Sequence, residues 1–418
     1  LAKLLITGGE RLHGTVKVSG AKNSVLPIIA ASLLCPQDTI LEDIPALEDV
    51  LCIREVLDSL GVNTEFTKDK LVIKSGSLSL YEPPYELVRK MRASFLVIGP
   101  LLARMGKVRI SLPGGCNIGT RPIDLHLKGL SALGADITLG HGYVEANVDR
   151  LKGAKIYLDF PSVGATENII MASALAEGET VIENAAEEPE IVDLANFLNS
   201  MGANIIGAGT DTVKITGVKE LKGTYHSVIP DRIEAGTYMA AAAITGGDIV
   251  IENIIKEHVK SIVAKLTEAG VKIAEEDNYR IRVTADKRMN PVDIKTLPYP
   301  GFPTDLQAPM MAVMSKSCGT SIITETVFEN RFMHVCELKR MGANVKIEGR
   351  SAVIEGVERL TGAKVKATDL RAGAALLLCG LAAEGKTEIS DIYHISRGYV
   401  DIKDKLNNLG ACIEEVEE

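Results

Sequence analysis

Tryptophan is absent from this 418-residue chain, and 10 Tyr with 7 Phe bring the aromatics to only 4%. Its packing must therefore rely on Leu, Ile, Val, Met and Ala. Cysteine is sparse as well. Cys35, Cys52, Cys116, Cys318, Cys336, Cys379 and Cys412 are odd in number and widely spaced, with no CxxC pair. That pattern suits a reducing compartment and argues against a disulfide framework or a zinc site. No 18-residue apolar run is free of Gly, Pro or charge, and the opening LAKLLITGGERLHG turns polar too soon for a signal peptide. A cytoplasmic protein without membrane insertion is the expectation. A basic excess is missing too: 46 Lys and Arg face 55 Asp and Glu, for a formal charge of −9. This argues against nucleic acid as a partner, although a local arginine cluster can still hold a small anion.

What the chain does have is 46% hydrophobic residues against 24% charged, and more length than one core usually fills, so two domains are expected. It also has a repeat. LDSLGVNTEF, LSALGADITL, LNSMGANIIG, LTEAGVKIAE, LKRMGANVKI and LNNLGACIEE place glycines at 61, 134, 202, 270, 342 and 410, spaced by 73, 68, 68, 72 and 68. Each reads as a helix stopped by a glycine cap and followed by a strand. Upstream lies a turn that opens an alternating strand, as in AEGETVIENA and TGGDIVIENI, and before it an Ala-rich helix such as EAGTYMAAAAI or DLRAGAALLLCG. One unit is thus helix, strand, helix and two strands. Three units per domain divide the chain near residues 225–236, and the small residues place the Ala-rich helices in the middle of each domain.

The repeat makes the unusual residues visible. At or just before the first turn of the Ala-rich helix stand Lys22 and Asn23, Arg92, Glu167 and Asn168, Asp231 and Arg232, Asp305, and Asp369 with Arg371. Asp231 and Asp369 have a plain alternative as helix caps. Lys22, Arg92 and Arg371 do not, because the positive end of a helix dipole repels cations. If these helix starts face one cleft, the bases form an anion clamp beside a carboxylate. DFPSVGATEN adds Ser162, Val163 and Gly164 at a helix start, a seat for phosphate oxygens on backbone N–H groups. VFENRFMHV adds Glu329 and Arg331, for which an ordinary solvated ion pair is the alternative. In SLPGGCNIGTRPIDLH, Cys116 sits among glycines five residues before Arg121, which fits either a reactive thiolate or a small packing residue.

SGAKNSVLPIIAASLL, PGGCNIGTRPIDLH, SVGATEN, PDRIEAGT, FPTDLQAP, VFENRFMHV, TDLRAGAALL and YHISRGYV resemble the UDP-N-acetylglucosamine 1-carboxyvinyltransferase family of enolpyruvyl transferases, from residue 3 to about residue 415. The resemblance implies a two-domain inside-out α/β barrel with three repeated α/β units of about 70 residues per domain and a ligand cleft between the domains. The domains implied are 22–229, carrying the Cys116 loop, and 1–21 with 230–418. The reaction implied is transfer of the enolpyruvyl group of phosphoenolpyruvate to the 3-hydroxyl of UDP-N-acetylglucosamine with release of phosphate, the first committed step of peptidoglycan precursor synthesis. It needs neither metal nor organic cofactor. By the same resemblance Lys22, Arg121 and Arg397 hold the phosphate, Arg331 and Arg371 the carboxylate, and Arg92 lines the same cleft. Asn23 and Asp305 contact the amino sugar, with Asp305 taking the hydroxyl proton, and Val327 is a further substrate contact. Ser162, Val163 and Gly164 lie near the diphosphate, while Arg121, Pro122, Asp124 and Leu125 frame the uridine. Asp369 and Asp231 are acidic candidates for proton handling or for orienting the bases.

Cys116 corresponds to the loop cysteine of that family, which forms an adduct with phosphoenolpyruvate and is the target of fosfomycin. Proton donor, covalent nucleophile and product-release residue all remain open as its role. Phe160 departs from members that carry a lysine near the nucleotide, so basic help there must come from elsewhere. Two alternatives stand beside this reading. One is 3-phosphoshikimate 1-carboxyvinyltransferase, which the cysteine loop disfavours; the other is a catalytically inactive binding homologue, which the retained clamp bases disfavour.

Overall fold

A computed structural model of the chain describes residues 2–113 and 123–417. All six helix-to-strand junctions form. The helices ending at Ser59, Ala132, Ser200, Glu268, Arg340 and Asn408 each run into a glycine of positive φ, from 86° at Gly342 to 103° at Gly202, and a strand opens two residues beyond it. Glycine adopts this left-handed conformation without the steric cost of a Cβ, so the chain reverses at once.

The chain divides into two compact units, residues 20–113 with 123–229, and residues 2–19 with 230–417. In the first, the helix Ile98–Met105 packs on Val163–Ser173, and Lys22–Ala31 packs on the 3-10 segment Arg92–Val97. In the second, Arg232–Thr245, Gln307–Met314 and Leu370–Ala382 pack on one another. Twelve of the fourteen residues of Arg232–Thr245 are buried, all round the helix. A helix buried on every side belongs to a core, and Ala and Gly allow its neighbours to approach closely. The strands instead alternate buried and less buried positions, as in Glu179–Glu183 and Asp248–Glu252, so the sheets form the outer layer of each unit.

The typical sheet has four strands. In one, Thr212–Thr216 lies between Asn204–Ile206 and Glu179–Glu183, antiparallel to both, and Lys155–Tyr157 adds a parallel edge. The sixth repeat obtains its central strand from the other end of the sequence: Lys3–Thr7 runs antiparallel between Lys386–Ser390 and Cys412–Val416. Two edge strands are exchanged. Elsewhere the parallel edge strand immediately precedes the inner helix of its own repeat, as Lys155–Tyr157 precedes Val163–Ser173. His13–Lys17 precedes the helix Lys22–Ala31 but pairs with Asp248–Glu252, and Tyr225–Ser227 precedes Arg232–Thr245 but pairs with Asp38–Glu42. The chain therefore changes unit between residues 19 and 20 and again between 229 and 230. Backbone bonds pin the chain at each change: Ala21 N–H donates to Ile229 at 2.7 Å and Asp231 N–H to Ser19 at 2.9 Å. These bonds fix the starts of the helices that carry Lys22 and Asp231.

No helix among the described residues is long and apolar enough to cross a membrane.

Candidate active site

In the unit built from 2–19 and 230–417, a charged cluster surrounds Asp305. Arg331 Nη2 donates to its Oδ1 at 2.8 Å, while Arg371 Nε and Nη2 donate to its Oδ2 at 3.2 and 3.0 Å. The two arginine side chains are only 3% and 2% exposed, against 25% for the aspartate. Nη1 of each guanidinium is buried with no hydrogen-bond partner among the described residues. Such a donor left unsatisfied costs about 1 to 3 kcal/mol. Two of them, beside a half-buried carboxylate, describe a receptor for an anionic group.

Secondary partners hold Arg371 in place. It lies over the Tyr399 ring at 5.2 Å, and the Tyr399 hydroxyl is 3.0 Å from Thr237 Oγ1 on the helix Arg232–Thr245. Burial opposes the charge of Arg371, but Tyr399, Asp305 and Asp231 outweigh it and raise its pKa further, so it stays a cation. Asp231 and Asp369 are helix caps. Asp231 Oδ1 accepts from the N–H groups of Ile233 and Glu234 at 2.8 and 3.0 Å, and Asp369 Oδ1 from Arg371 and Ala372 at 2.9 and 3.0 Å. The cap at Asp369 thus fixes the backbone of Arg371 itself. His334 is wholly buried, and burial holds its pKa down to about 4 against the opposing pull of Asp369, with Arg331 adding to the depression. Arg397 and Asp369 both act on His394, which places the half-buried Arg397 in the same neighbourhood. Val327 is half-buried at the turn leading to Arg331, and Arg331 is bonded to Asp305, whereas Glu329 is exposed.

The unit built from 20–113 and 123–229 holds a second set. Lys22 opens its helix and pairs through Nζ with Asp49 Oδ2 at 2.7 Å, both about 7% exposed, while Asn23 beside it is exposed. Ser162 caps the helix Val163–Ser173, accepting from Ala165 N–H at 3.4 Å, which leaves Val163 and Gly164 at the first two helical positions. His126 lies against this turn: a Cβ on Gly164 would stand 3.1 Å from its Cε1 and 3.3 Å from its Nε2. Asn168 fixes the ring. Its Oδ1 accepts from Gly99 N–H at 3.0 Å, so its Nδ2 is the donor to His126 Nδ1 at 2.9 Å. The imidazole proton is thereby placed on Nε2, facing Gly164. Burial first and Arg92 second hold the pKa of His126 down to about 3, so the ring is neutral and Arg92 lies near it. Asp124 is exposed and Leu125 half-buried on the first turn of the helix that carries His126. Lys128, one turn further on, reaches Asp159 at 2.7 Å, next to the exposed Phe160.

Cys116, Arg121 and Pro122 lie outside the described residues. Glu167 and Asn168 are not at a helix start, as the repeat suggested, but in the second turn of Val163–Ser173 and wholly buried. The carboxyl of Glu167 is pushed well up by burial and by Glu190 and Glu188. Sequence reasoning missed Asp49, His126 and Tyr399. Asp49 reads as an acid that favours a helix start, and the other two gain meaning only from Asn168 and Thr237, far away in the chain. Among the described residues no group of three His, Cys, Asp or Glu is arranged to hold a metal ion.

The chain is similar to carboxyvinyltransferases of two acceptors. The family profile described as EPSP synthase (3-phosphoshikimate 1-carboxyvinyltransferase) matches residues 6–406. The UDP-N-acetylglucosamine 1-carboxyvinyltransferase 1 of Caldanaerobacter subterraneus is 68% identical over 98% of this chain and 99% of its own. The UDP-N-acetylglucosamine 1-carboxyvinyltransferase 2 of Carboxydothermus hydrogenoformans is 61% identical over the full length of both chains. Among solved structures, the enolpyruvyl transferase NikO from Streptomyces tendae superimposes with a TM-score of 0.90 at 25% identity, over 99% of each chain. The chain therefore belongs to the enolpyruvyl transferase family and, within it, to the UDP-N-acetylglucosamine 1-carboxyvinyltransferases.

Proposed function

We propose that this protein transfers the enolpyruvyl group of phosphoenolpyruvate to the 3-hydroxyl of UDP-N-acetylglucosamine, releasing phosphate, as the first committed step of peptidoglycan precursor synthesis in the bacterial cytoplasm. The observation that carries this reading is Asp305, held by two buried guanidiniums that each keep an Nη1 for an anion. Those two Nη1 groups suit the carboxylate of phosphoenolpyruvate, whereas Lys22, Arg121 and Arg397 take its phosphate and Arg92 adds positive charge. Asn23 and Asp305 hold the amino sugar. Ser162, Val163 and Gly164 receive the diphosphate, with Val327, Asp124, Leu125, Arg121 and Pro122 along the rest of the nucleotide sugar.

The chemistry follows from this placement. Asp305 takes the proton of the 3-hydroxyl as that oxygen bonds to C2, and the electron pair of the C2–C3 double bond takes up a proton at C3 from a general acid, for which Cys116 is the candidate. The tetrahedral intermediate then loses phosphate from C2 and a proton from C3, which restores the double bond. Arg331 and Arg371 keep the Asp305 carboxylate oriented throughout, so little reorganisation is needed when charge moves. Mass analysis of a reaction mixture tests the assignment: UDP-N-acetylglucosamine should gain one enolpyruvyl group as phosphate appears, and an unmodified sugar nucleotide would refute it.

Cys116 is proposed to react on this substrate and with fosfomycin. Cys35 and Cys379 are buried, and burial pushes the Cys379 thiol up to about 12, so neither competes. Cys318, Cys336 and Cys412 are exposed and make the test a fair one. Fosfomycin should label Cys116 first among the seven cysteines, and faster with UDP-N-acetylglucosamine present. Peptide mass mapping after partial inactivation reads this out, and label on one of the exposed cysteines with Cys116 intact would contradict it.

A further inference from the structure

Glu325 stands immediately after the strand Thr320–Thr324 and is 1% exposed. Its carboxylate collects donors from three separate segments. Oε1 accepts from Thr296 Oγ1 at 2.7 Å, Val327 N–H at 2.7 Å and Phe328 N–H at 3.1 Å, while Oε2 accepts from Thr304 Oγ1 at 2.8 Å. Thr296 in turn is tied to the same turn, its Oγ1 accepting from Thr326 N–H at 3.0 Å and its carbonyl from Thr326 Oγ1 at 2.6 Å.

Two of these segments lead directly into the site. Thr304 is followed by Asp305, and Phe328 stands three residues before Arg331. Asp305 and Arg331 are bonded to each other at 2.8 Å. The result is a closed ring: Glu325 to Thr304, along the chain to Asp305, across to Arg331, back along the chain to Phe328, and across to Glu325. Within this ring the buried carboxylate fixes the spacing of the two loops, and with it where Asp305 meets its arginine.

We propose that Glu325 is a positioning residue for enolpyruvyl transfer, acting through Thr304 to hold Asp305 where it takes the hydroxyl proton. The proposal rests on the function proposed above. A residue that merely stabilised the fold would lower stability without coupling to Asp305. A positioning residue must lose its effect once Asp305 can no longer act as a base.

Thr304→Val keeps the shape of the side chain and removes one hydrogen bond to a carboxylate. It should lower kcat about tenfold, leave the KM for phosphoenolpyruvate nearly unchanged and lower the melting temperature by only a few degrees, as the roughly 1 to 3 kcal/mol of an unsatisfied buried oxygen requires. Thr304→Ser, which retains the hydroxyl, should restore kcat. Glu325→Asp keeps the carboxylate but is one methylene too short to span Thr304 and Val327 together, so its kcat should fall at least as far. In an Asp305→Asn background both losses should vanish. A folded Thr304→Val enzyme with full kcat would overturn the proposal, as would the same fold-loss for either substitution in the Asp305→Asn background. Wild-type turnover is measured alongside: its absence counts against the proposed function, whereas an active wild type with an unaffected Thr304→Val variant counts only against the role of Glu325.

Discussion

Asp305→Asn should reduce kcat by about 10²- to 10⁴-fold, the range expected when a general base is removed, while the affinity for UDP-N-acetylglucosamine falls far less. Asparagine keeps the size of the side chain and an acceptor oxygen at 305, so Arg331 and Arg371 still find a partner on one side. It cannot take a proton from the 3-hydroxyl. Steady-state kinetics with the nucleotide sugar varied, together with calorimetric binding, separates the two effects. Equal losses in binding and turnover would reduce Asp305 to a residue that only positions the sugar.

Arg371 should be the least replaceable of the bases. Its side chain is 2% exposed and engages Asp305 through two of its nitrogens, with the Tyr399 ring below it and the Asp369 cap at its own backbone. Arg371→Ala removes a 2% exposed cation from beside the half-buried Asp305, which keeps only Arg331, and breaking such a pair costs at most the roughly 3 to 5 kcal/mol of a fully buried one. Arg371→Lys keeps the charge but offers a single point where the guanidinium offered a fork. It cannot bond Asp305 and a substrate carboxylate in the same geometry. Both variants should lose about 10²-fold or more in kcat/KM for phosphoenolpyruvate, with Arg371→Lys nearer to wild type in melting temperature. Near-normal phosphate release by a folded Arg371→Lys enzyme would remove Arg371 from the anion receptor.

The six helix-to-strand junctions were legible because each is local: an amphipathic helix, a glycine and an alternating strand lie within about twenty residues, and periodicity reports such elements. The Ala-rich helices were legible as central because small residues such as Ala and Gly let a helix lie close to its neighbours. Sheet closure was a different matter. Lys3–Thr7 completes a sheet with strands nearly four hundred residues away, and the exchange of His13–Lys17 and Tyr225–Ser227 concerns partners far apart in the chain. Periodicity carries no information on such pairing, and there only the family resemblance pointed to it. The charged residues divide in the same way. Asp305 and Arg371 were visible as charges at repeat positions and Arg331 as a charge in the loop VFENRFMHV, and the structure bonds both arginines to the aspartate. Glu325, Tyr399 and His126 were not visible, because what each does depends on a partner that the fold supplies: Thr304, Thr237 and Asn168. Glu167 shows the opposite error. A charge near a helix start suggested a site residue, but it lies one turn further in and is buried beside other acids.

The choice of acceptor is the most direct test, since the family profile that matches residues 6–406 is described by the 3-phosphoshikimate enzymes. Phosphate release should be measured with phosphoenolpyruvate and either UDP-N-acetylglucosamine or shikimate 3-phosphate, at matched concentrations. Release should be rapid with UDP-N-acetylglucosamine and absent above background with shikimate 3-phosphate, whereas release with shikimate 3-phosphate alone would overturn the assignment.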